Sequence, residues 1–128
     1  MAREVIHTDK AASGKVPLSQ AIRDGDLLFC SGQLGVDPKT NALVPGGIAA
    51  ETRQALENLK AVVEAGGSSL DRALKVTIFM ADLSELMEMN AVFSEYFPKD
   101  PPARTTLAVK ELVRGGRVEI ELICRCSA

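Results

Sequence analysis

Residues 101–109 read PPARTTLAV and residues 118–123 read VEIELI, and these two stretches decide the fold. In both, β-branched and aliphatic residues alternate with other residues, which predicts two β-strands joined by a loop that contains two glycines. Successive side chains of a strand point to opposite faces. Arg104 therefore shares a face with Thr106, and Glu119 lies opposite the aliphatic side chains of its own strand.

These strands bring two charged groups into one region of the chain. Arg104 follows a rigid Pro-Pro pair, and Glu119 is expected on the partner strand. A guanidinium and a carboxylate placed in this way could form a small polar site for an anionic substrate. An exposed sheet face with an Arg–Glu cross-strand pair would have the same residues. The residues alone leave both interpretations open.

The composition is that of one globular domain. The chain has 128 residues, which is the usual size of a single domain, so we expect residues 1–128 to fold as one unit. Hydrophobic residues make up 46% and charged residues 25%, which argues against a disordered chain. The formal net charge is −2 and the basic residues are dispersed. Nucleic acid or an acidic membrane surface is therefore disfavoured as the main partner.

The sequence predicts a cytoplasmic location. No apolar run approaches the ~20 residues of a membrane span, and the first residues lack the apolar segment of a secretion signal. The cysteines are Cys30, Cys124 and Cys126, an odd number without the spacing of a disulfide framework. We therefore expect reduced thiols.

Two segments are predicted to be helices. Residues 48–65 carry apolar side chains at helical spacing, with charged residues such as Glu51 on the other side, and Gly66-Gly67 ends the segment. Asp82 or Ser84 is expected to cap a second helix. The predicted apolar stripe of that helix is Leu83, Leu86, Met87, Phe93 and Phe97.

The remaining segments predict strands. They are residues 4–7, a hairpin around Asp24-Gly25-Asp26, an extended continuation through residues 34–37, and residues 74–80. This order suits an α+β domain of two layers, one mixed β-sheet with two α-helices on one face. Several strands, including that of Phe79, are apolar in both phases, so we expect another subunit to cover the second face.

Asn90 lies in the predicted apolar stripe of the second helix. A buried carboxamide costs ~1–3 kcal/mol unless it is hydrogen-bonded. Asn90 is therefore expected either to bond a loop backbone or to face a ligand.

Several kinds of site lack the residues they need. His7 is the only histidine, and Cys124-x-Cys126 has no second ligand pair, so no metal site is predicted. The glycine pairs match neither a phosphate-binding loop nor a dinucleotide fingerprint, so no cofactor is predicted. A site of arginine, glutamate, amide and hydroxyl groups remains. In it, Arg104 can hold a small carboxylate and Glu119 can position a water.

Short motifs extend along the whole chain. They are Ser31-Gly32-Gln33, Val36-Asp37-Pro38, Val44-Pro45-Gly46-Gly47, Gln54-Ala55-Leu56-Glu57-Asn58-Leu59, Lys75-Val76-Thr77, Pro102-Ala103-Arg104 and Val118-Glu119-Ile120-Glu121. Together they resemble the RidA/YjgF family, most specifically through the last two. The resemblance implies a chorismate-mutase-like fold and a homotrimer whose sheets enclose a central barrel, with sites between subunits. It also implies cofactor-independent hydrolysis of 2-imino acids or their enamine tautomers to 2-oxo acids and ammonia.

The resemblance also implies roles for individual residues. Arg104 matches the arginine that grips the substrate carboxylate with two parallel hydrogen bonds, and Glu119 matches the carboxylate that orients the attacking water. Asn90 and Ser31 match polar residues that line the cleft. Gly32 matches the position where the backbone approaches the ligand.

Two positions differ from the family pattern. Thr106 stands where many members have a cysteine whose backbone helps to hold the ligand. Leu18 stands where active imine deaminases usually have a tyrosine, so one polar contact to substrate is absent. Loss of such a contact costs on the order of 1–3 kcal/mol, and it favours a bulkier, more apolar substrate.

Three functions follow from the sequence. The first is deamination of 2-iminopropanoate, 2-iminobutanoate and related compounds. The second is a trimeric module that binds small carboxylates such as 2-oxo acids without turnover, which Leu18 favours. The third is a translation-inhibiting ribonuclease, which the acidic net charge disfavours.

Overall fold

The computed structural model describes residues 3–126. This part of the chain forms eight strands and two α-helices, with short 3-10 turns between some of them. The elements are β1 (Glu4–Ile6), β2 (Ala21–Asp24), β3 (Leu27–Leu34), β4 (Val36–Asp37), β5 (Ala42–Leu43), α1 (Ile48–Ala65), β6 (Ala73–Met80), α2 (Leu86–Tyr96), β7 (Ala103–Ala108) and β8 (Val118–Arg125).

Six of the strands form one mixed sheet in the order β1-β2-β3-β8-β6-β7. The β6–β7 pair is parallel and the other pairs are antiparallel. The predicted hairpin joins β2 and β3, and Gly25 in its turn has a φ of 65°, a left-handed conformation that glycine adopts without strain. The predicted mixed sheet is confirmed.

The expected extension through residues 34–37 is interrupted at Gly35. Strand β3 ends at Leu34, and β4 leaves the sheet to pair with β5 in a separate two-stranded ribbon. A Cβ atom on Gly35 would lie 2.6 Å from the Cα atom of Glu51. The chain therefore turns away where the first turn of α1 packs against its backbone.

Both helices cover one face of the sheet, which we call the inner face. Their buried side chains and those of the inner face form one hydrophobic core. The largest fully buried side chains are Leu28, Ile48, Leu56, Leu59, Val62, Val63, Val76, Ile78, Met80, Met89 and Ile120, with Leu122 beside them. The predicted two-layer α+β arrangement is confirmed.

Helix α1 has the predicted bounds, but one of its charged residues is buried. Glu51 was expected on the polar side, and it is only 6% exposed. Its Oε1 atom accepts a hydrogen bond from the backbone N–H of Arg117 at 2.8 Å. Its Oε2 atom lies 3.8 Å from Nε of the same arginine. Glu51 thus accepts a hydrogen bond from the loop before β8, a contact that the helical pattern of α1 does not reveal.

Helix α2 differs from its prediction in start and in phase. Asp82 accepts a hydrogen bond from the N–H of Ser84, but this caps a 3-10 turn that precedes the α-helix. Met87 is 79% exposed and Leu83 is also exposed, whereas Met89 and Val92 are buried. Met87 precedes Phe93 by six residues, which is well out of phase in a helix of 3.6 residues per turn.

No helix within residues 3–126 covers the other face of the sheet, which we call the open face. Side chains directly opposite each other on paired strands share a face, and one such row is Val5, Ile22, Phe29, Ile123, Lys75 and Ala103. Phe29 is 43% exposed, and Leu107, on the same face opposite Phe79, is also exposed. Such an apolar surface is typical of an interface, and the subunit expected to cover it stays a prediction.

No helix formed by residues 3–126 is long and apolar enough to cross a membrane.

Candidate functional site

The two strands that carry Arg104 and Glu119 are not neighbours. Strand β6 lies between β7 and β8 in the sheet, so the expected direct pairing of these strands is wrong. Arg104 lies opposite Val76, and Glu119 lies opposite Phe79. A parallel pair needs a long crossover. Helix α2 supplies it between β6 and β7, and β8 then occupies the free edge of β6.

The side chain of Arg104 points to the inner face of the sheet, where β7 is the edge strand. Its Nη2 atom donates a hydrogen bond to Oδ1 of Asn90 at 2.8 Å. Its guanidinium carbon lies 5.0 Å from the ring centroid of Phe93, a distance at which a cation is attracted to an aromatic face. Partial burial lowers the pKa of Arg104, and an arginine remains charged under such a shift.

The side chain of Asn90 orients this arginine, and it makes no hydrogen bond to a loop backbone among the described residues. Asn90 and Phe93 are three residues apart on α2, so both present their side chains to the same side of the helix. Together they hold the guanidinium from two directions. The role of Phe93 was not predicted because its spacing was attributed to the core alone.

Thr106 follows two residues after Arg104 and lies opposite Ile78, on the same face. Its hydroxyl oxygen is buried and has no hydrogen-bond partner within residues 3–126. An unsatisfied buried hydroxyl costs ~1–3 kcal/mol. A ligand or another copy of the chain that brings a polar group to the Thr106 hydroxyl would therefore be favoured.

Glu119 lies on the open face, opposite Phe79 on one side and Leu34 on the other. Burial raises the pKa of Glu119, and the neighbouring carboxylate of Glu121 raises it further. A carboxyl group whose pKa is shifted toward neutrality is suited to accept and return a proton.

Gly32 lies directly against this carboxylate. A Cβ atom at Gly32 would lie 2.8 Å from Oε2 and 2.9 Å from Cδ of Glu119. The pairing of β3 with β8 shifts register between Cys30 and Gln33, which is the irregularity that brings Gly32 to this point. The group that approaches Gly32 within the chain is the side chain of Glu119, and the expected approach of this backbone to a ligand stays a prediction.

Ser31 is linked to the segment of Leu18 through the neighbouring Ser19. The Ser31 hydroxyl donates to the carbonyl oxygen of Ser19 at 2.6 Å, and so it fastens the segment that carries Leu18 to β3. Leu18 is 59% exposed. It lines a cavity of about 270 Å³ together with Gly32 and Glu119.

The candidate residues therefore form two groups. The arginine group is Arg104, Asn90 and Thr106, with Phe93. The glutamate group is Glu119, Gly32 and Leu18, held in part by Ser31. The two groups lie on opposite faces of the sheet, so a single copy of the chain does not bring Arg104 and Glu119 together.

The cysteines take no part in either group. Cys30, Cys124 and Cys126 are free and buried. Burial raises the pKa of Cys124 to about 11 and that of Cys30 further. Within residues 3–126, no group of three or more His, Cys, Asp and Glu side chains is placed to hold a metal ion.

The sequence profile of the family described as Endoribonuclease L-PSP matches residues 8–126. The chain belongs to this family. Members of the L-PSP family, also called YjgF/RidA, carry different descriptions. A RutC family protein of Pyrococcus horikoshii is 45% identical over 121 residues, covering 94% of this chain and 96% of the relative. A 2-iminobutanoate/2-iminopropanoate deaminase of Bos taurus is 41% identical over 123 residues, covering 96% and 90% respectively.

A solved L-PSP structure has the same fold. It is E. coli TdcF with bound serine, which is 32% identical and superposes with a TM-score of 0.92 over 97% of this chain and 99% of that one. The family membership and the α+β fold expected from the sequence are thus confirmed.

Proposed function

We propose that this L-PSP protein is a cofactor-independent deaminase of 2-imino acids and their enamine tautomers, such as 2-iminopropanoate and 2-iminobutanoate. The observation that carries the proposal is the arginine group, in which Asn90 and Phe93 hold Arg104 while its other N–H donors bond no residue in the described chain. The naming of relatives about 41% identical as imine deaminases supports the same activity.

Arg104 is proposed to bind the substrate carboxylate. A guanidinium presents two parallel N–H donors that match the two oxygens of a carboxylate. Because Asn90 and Phe93 already fix its orientation, less conformational freedom is lost on binding. Every 2-imino acid has this carboxylate, so the contact recognises the class and leaves the side chain free to vary.

Glu119 is proposed to assist the addition of water. The glutamate accepts a proton from water as its oxygen bonds to the iminium carbon, which gives a tetrahedral carbinolamine. The proton then passes to the nitrogen, the carbon–nitrogen bond breaks with loss of ammonia, and a lone pair on the hydroxyl oxygen forms the carbonyl of the 2-oxo acid. The hydroxyl proton passes to the departing ammonia. One water is consumed and one ammonium ion leaves.

The complete site is proposed to form between two copies of the chain. The arginine group of one copy faces the glutamate group of the next, because the two groups of one copy lie on opposite faces of its sheet. A head-to-tail contact of this kind repeats around a closed ring. We propose a homotrimer in which the apolar open faces enclose a central barrel. Its mass in solution would be three times 13.7 kDa.

The activity is tested with an amino-acid oxidase that releases the imino acid in the presence of semicarbazide, which traps unreacted imine. Wild type should lower the trapped fraction. Arg104→Lys keeps the charge and loses the paired donors, so kcat/KM should fall by about 10- to 100-fold, since a hydrogen bond to a charged group contributes ~1.5–3 kcal/mol. Arg104→Ala should lose more. Arg53→Ala is the control, because this exposed arginine pairs with Glu95 on the helical layer and belongs to neither group of candidate residues. Wild-type activity in Arg104→Ala would refute the proposal.

Hybrid oligomers test the shared site. Arg104→Ala and Glu119→Gln are each expected to lose most, but not all, of the activity when assayed alone. When the two variants are mixed at random, about one quarter of head-to-tail contacts pair an intact arginine group with an intact glutamate group. Co-refolded mixtures should therefore regain about one quarter of wild-type activity. No recovery, in mixtures shown by mass spectrometry to be hybrid, would mean that each site lies within one copy.

A non-catalytic carboxylate-binding module is the second candidate. The observation in its favour is Leu18, which offers no hydrogen bond to a ligand beside Glu119. Calorimetric binding of pyruvate without turnover of any imino acid would select it.

A further inference from the structure

We infer that this site prefers 2-imino acids with a large aliphatic or aromatic side chain over 2-iminopropanoate, and that Val113 and Leu18 set this preference. The inference rests on the proposed deaminase function. It concerns the cavity of about 270 Å³ that Leu18 shares with Glu119.

The walls of this cavity are aliphatic and uncovered. Val16, Leu18 and Val113 all line it, and they are 58%, 59% and 67% exposed. They come from two segments of the chain, Val16 and Leu18 from the loop before β2 and Val113 from the loop before β8, yet they converge on one small space. An apolar group that enters this space removes apolar surface from water on both sides of the contact.

The position of the cavity favours a substrate side chain as its occupant. Glu119 and Gly32 line the same space, so a reacting carbon within reach of this carboxylate lies at its mouth. That carbon has three substituents. In the proposed site the carboxylate goes to Arg104 of the next copy and the nitrogen stays within reach of the proton on Glu119. The side chain is the remaining substituent, and the aliphatic walls lie beside it.

The loop before β8 holds Val113 in this wall. Arg114, which follows it, has a left-handed φ of 64°. Its guanidinium donates to the backbone oxygen of Asn41 at 2.5 Å and reaches the Asn41 side-chain oxygen at 3.5 Å. The only cation that lines the cavity among the described residues is thus tied to the β4–β5 turn. An acidic substrate side chain would have to compete with this contact.

The test compares kcat/KM for 2-imino-4-methylpentanoate, 2-imino-3-phenylpropanoate, 2-iminopropanoate and 2-iminosuccinate, each released by an amino-acid oxidase. The leucine-derived imine has three more carbons than 2-iminopropanoate, and we expect its kcat/KM to be higher by about tenfold or more, since a buried methylene changes discrimination by roughly tenfold. In Val113→Thr, a hydroxyl replaces a methyl group at similar volume. The ratio of the two kcat/KM values should then fall by about fivefold or more. Leu83→Thr, at an exposed turn before α2, is the matched control and should keep the wild-type ratio.

The outcomes separate the two proposals. Equal kcat/KM for all imines, or a preference for 2-iminosuccinate, would overturn the inferred selectivity and leave the deaminase intact. Absence of turnover with every imine would refute the deaminase. In that case, calorimetric affinities for 4-methyl-2-oxopentanoate and pyruvate measure the same cavity without chemistry, and equal affinities would refute the selectivity as well.

Discussion

Replacement of Gly32 by alanine tests whether the position of the Glu119 carboxylate matters. The new Cβ atom would lie 2.8 Å from Oε2, 2.9 Å from Cδ and 3.0 Å from Cγ of Glu119. Ordinary van der Waals contact begins at 3.4 Å. The carboxylate must therefore move away by about 0.6 Å. It moves rather than the backbone of β3, because it is the end of a flexible side chain and the backbone is held in the sheet.

The displacement sets the size of both effects. A misplacement of 1 Å can lower the rate by about 100-fold, so a shift of about 0.6 Å should lower kcat by about 10- to 20-fold. Moving a side chain off its rotamer costs ~0.5–1.5 kcal/mol. For a domain of this size, that corresponds to a fall in Tm of about 2–6 °C. Activity should thus be lost from a protein that is still folded.

The assay is imine trapping alongside a thermal melt. Gly14→Ala is the matched control, since Gly14 lines the same cavity and a Cβ atom there meets nothing within 4 Å. A double-mutant cycle then identifies the cause. In a Glu119→Gln background, Gly32→Ala should cost little further activity, because the group it displaces is already impaired. Full activity of Gly32→Ala, or an undiminished loss in the Gln background, would refute a role for the placement of this carboxylate.

Three further predictions concern other contacts. Asn90→Ala should lower kcat/KM by about tenfold through loss of a hydrogen bond to Arg104. Asn90→Asp should be worse, because its carboxylate would pair with Arg104 and compete with the substrate carboxylate proposed to bind there; a more active Asp variant would show a merely structural role. Glu121→Gln removes a carboxylate that raises the pKa of Glu119, so the acidic limb of the pH–kcat/KM profile should move to lower pH, and an upward or absent shift would contradict this. Asn58→Ala removes a fully buried amide that bonds two backbone carbonyls. Urea titration should show a loss of about 1–3 kcal/mol in the free energy of unfolding. A loss below about 0.5 kcal/mol would show that these hydrogen bonds do not stabilise the fold.

The sequence predicted local structure well where one period dominated. Helix α1 has the predicted bounds because apolar residues at helical spacing and a Gly-Gly stop agree with each other. The prediction of helix α2 was less accurate because Leu and Met residues lie on several sides of the helix, so no single apolar stripe stands out. Burial of Met89 rather than Met87 is decided by packing against the sheet and α1.

Strand neighbours were harder to predict than strands. Alternation shows which side chains of β7 share a face, and which of β8 do, but it does not relate the two strands to each other. Arg104 and Glu119 were therefore both predicted as site residues. That β6 lies between their strands, and that their side chains point to opposite faces of the sheet, was not predicted. Buried Glu51 was missed for a similar reason, since its partner lies 66 residues away at Arg117.

The buried thiols have a practical consequence for studying the protein. With a pKa of about 11, Cys124 would be thiolate in only about one molecule in ten thousand at pH 7, and its burial keeps reagents out as well. Alkylation therefore needs an opening of the structure, and its rate follows the population of opened molecules. Cys30 reports on β3 and Cys124 on β8, the two central strands that meet beside Gly32. Pulsed labelling with mass spectrometry could then follow the loosening of this part of the sheet without an introduced probe.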